Sequence, residues 1–256
     1  MSGAGEVLFA RYAYAPNDLG YCGPAETAAL LDLGSTGRTD ADIVSIARRF
    51  SGAWPYAALL AELAGVADPL DERIMRAYWL GGPLLDDARA AAFGIRLLEL
   101  IAGRAGHYWD HLTPDLIAEA APTHGFHVFG VYPLTRLLAE VPGHALHVLD
   151  NCRIRWGEVL ATEAEHVSVA SSRLAWDGVE LSLARPAQER VRFDYGGRRF
   201  VAAPAVGDCL ALHWDTVCDR LDADQRQELE QSTQWQLDVT NRRLGDVLAH
   251  ADRGSR

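Results

Sequence analysis

The spacing of apolar residues changes once along this 256-residue chain, at Val141-Pro-Gly-His144, and that change limits the folds open to it. Upstream, apolar positions recur at helical spacing. Downstream they alternate, as in a strand with one buried face. Ala25 to Leu33 is Ala/Leu-rich and stops at Gly34, and Thr39-Asp40 precede Ile43, Val44 and Ile46 as a cap precedes an apolar helical stripe. Further helices are predicted over 55–65, 69–80, 84–102, 114–121 (with Thr113 as N-cap and Pro114 in the first turn) and 133–140. Beyond Leu146, Val167-Ser-Val-Ala170, Val179 to Leu183, Val191 to Tyr195 and Leu210 to His213 alternate, and Asp177-Gly178 and Gly196-Gly197 supply turn residues that tolerate positive φ. Five or six short strands in so few residues suggest a small barrel. From Asp222 to His250 a polar segment with an imperfect apolar stripe predicts a long, partly exposed helix. The expected fold class is therefore α+β: an all-helical domain over 1–147, then an OB-like β-barrel with a C-terminal helix over 148–256.

Composition removes several function classes. All 24 cationic side chains are Arg, against 35 acidic ones, for a net charge of −11. An acidic, Lys-free surface does not suit counterion-release binding to nucleic acid or docking on anionic lipid. Apolar residues at 49% and charged residues at 23% are the values of a chain that folds. Cys22, Cys152, Cys209 and Cys218 are too sparse for a disulfide framework and form no CxxC pair, so reduced thiols in the cytoplasm are expected. The N-terminus lacks the pattern of an export signal, and no window of about 18 residues is apolar and uncharged, so no membrane partner is expected.

Two segments of the second half carry a resemblance. The first reads Cys152-Arg-Ile-Arg-Trp-Gly157-Glu-Val159, and the second reads Val206-Gly-Asp-Cys-Leu-Ala-Leu-His213 and leads to the terminal helix. Tyr195-Gly-Gly-Arg-Arg199 precedes the second. Over roughly residues 150–245 the chain resembles the HypC/HupF family of [NiFe]-hydrogenase maturation chaperones. In that family a Cys on the first strand is spaced in this way from a Gly and an aliphatic residue, and a Gly-Arg-Arg hairpin leads to a V-G-x-x-aliphatic-x-aliphatic-His strand. The whole chain is also similar to an uncharacterised actinobacterial family associated with hydrogenase gene clusters. The resemblance implies an accessory protein rather than an enzyme. It also implies an iron centre carrying cyanide and carbonyl as transient cargo, with a maturation scaffold protein and the hydrogenase large subunit as partners. Carried over by residue, it makes Cys152 the thiolate ligand and His213 its companion. A soft thiolate suits low-spin iron, and imidazole ligates or relays a proton. Here Cys152 is internal, whereas the family's Cys follows the initiator Met and gains a free α-amine.

Two further constellations stay open beside that one. Arg11 to Cys22 reads as an extended, aromatic segment that delivers a Cys to a helix start, where the N-terminus would lower its pKa. Cys22-Gly-Pro-Ala25 resembles the nucleophile turn of some papain-like peptidases, which makes a cysteine-dependent hydrolase or transferase using Cys22 with His127 or His147 the alternative function. Six of the nine histidines lie between His107 and His147. His107 and His111 share a face if helical, as metal-binding pairs do, whereas His124, His127, His144 and His147 are expected on loops or strand edges near the domain boundary. Each of these groups also has a plain structural reading: a buried small Cys, a Gly-Pro helix start, imidazoles packed among aromatics. The maturation reading requires the Cys152 sulfur and the His213 imidazole to converge on one open pocket.

Overall fold

The computed structural model describes residues 3–85, 87–102 and 114–254. The helical half contains α1 (Ala4–Asp18), α2 (Thr27–Thr36), α3 (Ile43–Arg48), α4 (Trp54–Ala64), α5 (Glu72–Leu80) and α6 (Asp87–Ala102). After a 3-10 turn at Pro114–Glu119 comes α7 (His124–Phe126), which runs into a π-helical turn at His127–Val131. A second 3-10 segment, Pro133–Leu138, leads to α8 (Pro142–Cys152). The stretches expected as α-helices at 114–121 and 133–140 are thus tighter and shorter. The pair His107 and His111 lies outside the described residues.

The expected extended segment at Arg11 is instead the second half of α1, with Pro16 in its last turn. The alternation Tyr12-Ala-Tyr14-Ala mimics a strand, but Leu8, Phe9, Ala10, Tyr12, Ala13, Tyr14 and Ala15 are all buried. A helix enclosed on every side has no amphipathic stripe to betray it. α1 packs on α2, α5 and the strands β6 (Cys209–His213) and β7 (Thr216–Leu221), and a Cβ on its Gly5 would stand 1.8 Å from the Leu70 carbonyl oxygen, so close is the crossing.

Strands β1 (Arg155–Thr162), β2 (His166–Ser171), β5 (Ala187–Arg192), β6 (Cys209–His213) and β7 (Thr216–Leu221) form a mixed sheet. β1 pairs antiparallel with β2 and β6, β2 with β5, and β6 with β7. A single parallel pair, Arg192 with Thr216, links β5 to β7. Val159, Val167, Val169, Val191, Phe193, Leu210, Leu212 and Val217 pack as one cluster between these strands. β3 (Leu174–Trp176) and β4 (Leu181–Leu183) make a separate hairpin around Asp177-Gly178. The long α9 (Ala223–Gly254) runs back over both halves, touching α5, α7, β4 and β7. The architecture is α+β with a C-terminal helix, and no helix among the described residues is long and apolar enough to cross a membrane.

The largest hydrophobic cluster crosses between the halves: Phe9, Tyr12, Tyr56 and Tyr78 share it with Ile154, Ala211, Cys218, Leu221 and Leu229. α8 itself straddles position 147. Cys152, expected on the first strand, is therefore the last residue of α8, and β1 begins three residues later. A buried ion-pair network fixes this corner. Arg153 and Arg173 both reach the Asp150 carboxylate, at 2.9 and 3.1 Å, the Leu174 amide donates to it, and Arg155 pairs with Glu189.

Candidate metal centre

The seam between α1, α5, α7, α8 and the β6–β7 turn encloses a cavity of about 200 Å³. His124, Cys152 and His213 border it, and one ligand atom from each lies within 4.8 Å of the other two. The two residues singled out from the strand motifs thus meet, although 61 positions separate them in the chain, and a third donor from the histidine-rich stretch joins them. Cys22, His127 and His144 border the same cavity, whereas His147 is not among the residues that line it. Contrary to expectation, His124, His127, His144 and His147 all sit in helical segments rather than on loops or strand edges.

Local structure explains each placement. His213 ends β6, and the turn after it puts Trp214 at φ 57°, a left-handed conformation that costs a non-glycine residue roughly 1 kcal/mol. The turn is held from both sides, because the Trp214 amide donates to the Asn151 carbonyl at 2.9 Å and Arg155 donates to the Trp214 carbonyl. The Trp214 ring stacks on Tyr21 at 4.2 Å. His124 is positioned by the Thr123 N-cap of α7, whose hydroxyl accepts from the Phe126 amide, and by Trp79, whose ring centroid is 4.8 Å away. Gly52 makes room for His127, since a Cβ there would stand 2.5 Å from its Nε2.

The hydrogen bonds assign the protons. His213 Nδ1 lies 2.6 Å from the Tyr12 carbonyl oxygen, which only accepts, so Nδ1 carries the hydrogen and Nε2 presents a lone pair. That Nε2 is buried and makes no hydrogen bond within normal geometry, although the Cys152 carbonyl lies near enough to favour the protonated ring. An imidazole oriented by a backbone carbonyl with its other nitrogen bare is the usual state of a metal-ligating histidine. His124 Nε2 donates to the Cys152 carbonyl at 2.9 Å, while its Nδ1 lies 3.0 Å from the Tyr78 hydroxyl. The same hydroxyl is 2.8 Å from the Gly52 carbonyl. Two proton arrangements follow. Either Nε2 keeps the hydrogen and Tyr78 donates to Nδ1, or Nδ1–H donates to the Tyr78 oxygen while Tyr78 donates to Gly52; in the second the Nε2 lone pair faces the Cys152 carbonyl oxygen, so the ring must turn from that carbonyl before Nε2 is free.

Burial leaves every one of these groups uncharged. It drives His213 and His127 down to about 4, and it lowers His124 well below the ordinary imidazole value with help from His213 and His127. The Tyr12 and Cys152 carbonyls offset part of the shift on His213. Burial raises Cys152 to about 12, further opposed by a charge on Cys22, and raises Cys22 itself to about 11. The expected activation of Cys22 by a helix N-terminus is therefore overturned. α2 begins only at Thr27, and Cys22 sits in the preceding turn, where Asn17 binds the carbonyls of Cys22 and Pro24. No hydrogen bond among the described residues joins the Cys22 sulfur to an imidazole. His127 Nδ1 faces the Tyr56 hydroxyl at 3.3 Å, and His147 Nδ1 lies 3.2 Å from the Asn151 amide.

A set of neutral thiol and imidazole donors in a buried seam suits a cation chemically. A bound cation makes thiolate formation favourable where burial alone opposes it, and it releases the thiol proton to solvent. One sulfur and two nitrogens match a thiophilic transition metal or zinc rather than magnesium or calcium, which take oxygen. Three protein donors beside a cavity leave a coordination position open.

Comparison with known proteins adds a family. Residues 1–247 match the model of a family of unknown function (DUF6390). Neither the curated proteins nor the solved structures give a match.

Proposed function

We propose that this chain, which belongs to the DUF6390 family, is an accessory protein of metallocentre assembly that holds its cargo at Cys152, His213 and His124. The observation that carries the proposal is the convergence of these three donors within 4.8 Å, with His213 Nε2 buried, bare and already in the ligating tautomer. The resemblance to the HypC/HupF chaperones supplies the cargo and partners. The cargo is iron with cyanide and carbonyl ligands, received from a scaffold protein and passed to a hydrogenase large subunit in the cytoplasm. In this reading the strand ring is the OB-like barrel of that family, with its cysteine moved onto the end of α8.

The residues divide the work. Cys152 gives up its proton and binds through sulfur. His213 binds through Nε2 while Tyr12 holds Nδ1–H. His124 exchanges its Nε2–H bond to the Cys152 carbonyl for Nδ1–H donation to Tyr78, whose hydroxyl turns to Gly52, and its ring turns from the Cys152 carbonyl to bring Nε2 to the metal.

The test is co-expression with a hydrogenase and its maturation proteins. Cys152→Ala and His213→Ala should leave the circular dichroism spectrum unchanged but abolish hydrogenase activity. Anaerobically purified wild-type protein should show cyanide and carbonyl infrared bands that both variants lack. Full hydrogenase activity in both variants would overturn the maturation role, and the absence of metal after anaerobic loading would overturn the metal site itself.

A further inference from the structure

Cys22 is the one other thiol on the wall of the same cavity, and the structure builds a holder for it. α1 ends at Asp18, the chain turns through Gly20 and Gly23 at φ 76° and 80°, and Cys22 lies between these two pivots. The turn is anchored from below by Asn17, which donates to the Cys22 and Pro24 carbonyls and accepts from the Thr27 hydroxyl at 2.8 Å. From the side it is anchored by Tyr21 on Trp214, the residue next to His213. Cys22 is not one of the three donors already within 4.8 Å of one another. His127 does not compete for the place, because its Nδ1 faces Tyr56 and its Nε2 backs against Gly52. His213 Nε2, buried and without a hydrogen bond, offers its lone pair in the wall of this cavity.

We propose that Cys22 is the closing ligand of this centre: a second thiolate, supplied by the turn after α1, that completes the His124–Cys152–His213 set around a thiophilic divalent cation. The inference rests on the metal-site reading above and deepens it. Three donors are preset by α7, α8 and β6, and the fourth is presented on the cavity wall by the anchored turn, losing its proton to solvent as the metal–sulfur bond forms. Both thiolates then come from this one chain, one from each half of the sequence.

The test uses the full-length, reduced protein titrated anaerobically with cobalt(II), whose thiolate-to-cobalt charge-transfer absorption grows with the number of bound sulfurs. Cys22→Ser should bind cobalt with about half the charge-transfer intensity per metal and at least about tenfold lower affinity. Cys209→Ser, on β6 away from this cavity, should match the wild type in both. Circular dichroism and urea unfolding of each variant confirm the fold. Unchanged intensity in Cys22→Ser, with intensity lost in Cys152→Ser, would overturn the closing-ligand role and leave the three-donor site standing. Absence of any thiolate band in the wild type would overturn both.

Discussion

Mild acid should destabilise this protein before most carboxylates titrate, because His124, His127 and His213 are buried without charge. His127 gives the cleanest figure, since burial alone lowers it from 6.5 to about 4. A base whose folded pKa is depressed binds fewer protons folded than unfolded. Its contribution is therefore fully present above 6.5, is lost as pH falls below that value, and stops changing below about 4. Between about pH 7 and pH 5 the loss amounts to about 2 kcal/mol for His127, and His213, also near 4, adds a similar loss. His124 is lowered as well. The sum is a large part of the 5–15 kcal/mol that typically separates folded from unfolded chains. Glu119 and Asp219, raised by burial, work in the opposite direction, because folding then favours their protonated forms as pH falls. Comparing the wild type with His127→Gln cancels them. Urea unfolding followed by circular dichroism at about pH 7, 6 and 5 should show the variant losing about 2 kcal/mol less than the wild type across that range. Identical losses would refute the argument that His127 is held neutral by burial.

Other perturbations test the frame around the site. Gly52→Ala places a methyl group 2.5 Å from His127 Nε2 and should cost about 1–3 kcal/mol in urea unfolding, with a neutral result showing that the ring moves freely. Arg155 has a side chain with no exposed surface and holds both Glu189 and the Trp214 carbonyl. Arg155→Met should lower stability by about 3 kcal/mol and weaken cobalt binding at the adjacent His213, whereas loss of stability alone would separate this network from the site. Zinc at about 100 times its dissociation constant should add about 2.7 kcal/mol to unfolding. The same gain in Cys152→Ser would place the zinc elsewhere.

Elements with strong local patterns were legible in the sequence. The apolar stripe from Ile43 forms α3, capped by Asp42 through the Ser45 amide rather than by the expected Thr39-Asp40, α4 and α5 start within three residues of expectation, and the Asp177-Gly178 turn joins β3 to β4. α1 escaped because its burial on all sides erased the helical period. Cys152 escaped because α8 ends only three residues before β1, with apolar and charged residues on both sides of the junction. Of the site, Cys152 and His213 were visible as spaced motif residues and His124 as one of a cluster. Nothing local distinguished His124 from His127 or His147, since the sequence placed all of them alike on loops or strand edges near the domain boundary.

The sequence by itself determined that an α-helical half would precede a strand-rich one, and which side chains could donate to a metal, because those properties depend on residue type and on neighbours a few positions away. Only the tertiary structure decided that Tyr12 would orient His213 from 201 residues away, that Tyr78 would offer His124 two proton arrangements, and that both halves would share one core. These outcomes depend on how α1 is buried against β6 and β7, and a helix enclosed by distant segments leaves no periodic trace in its own residues.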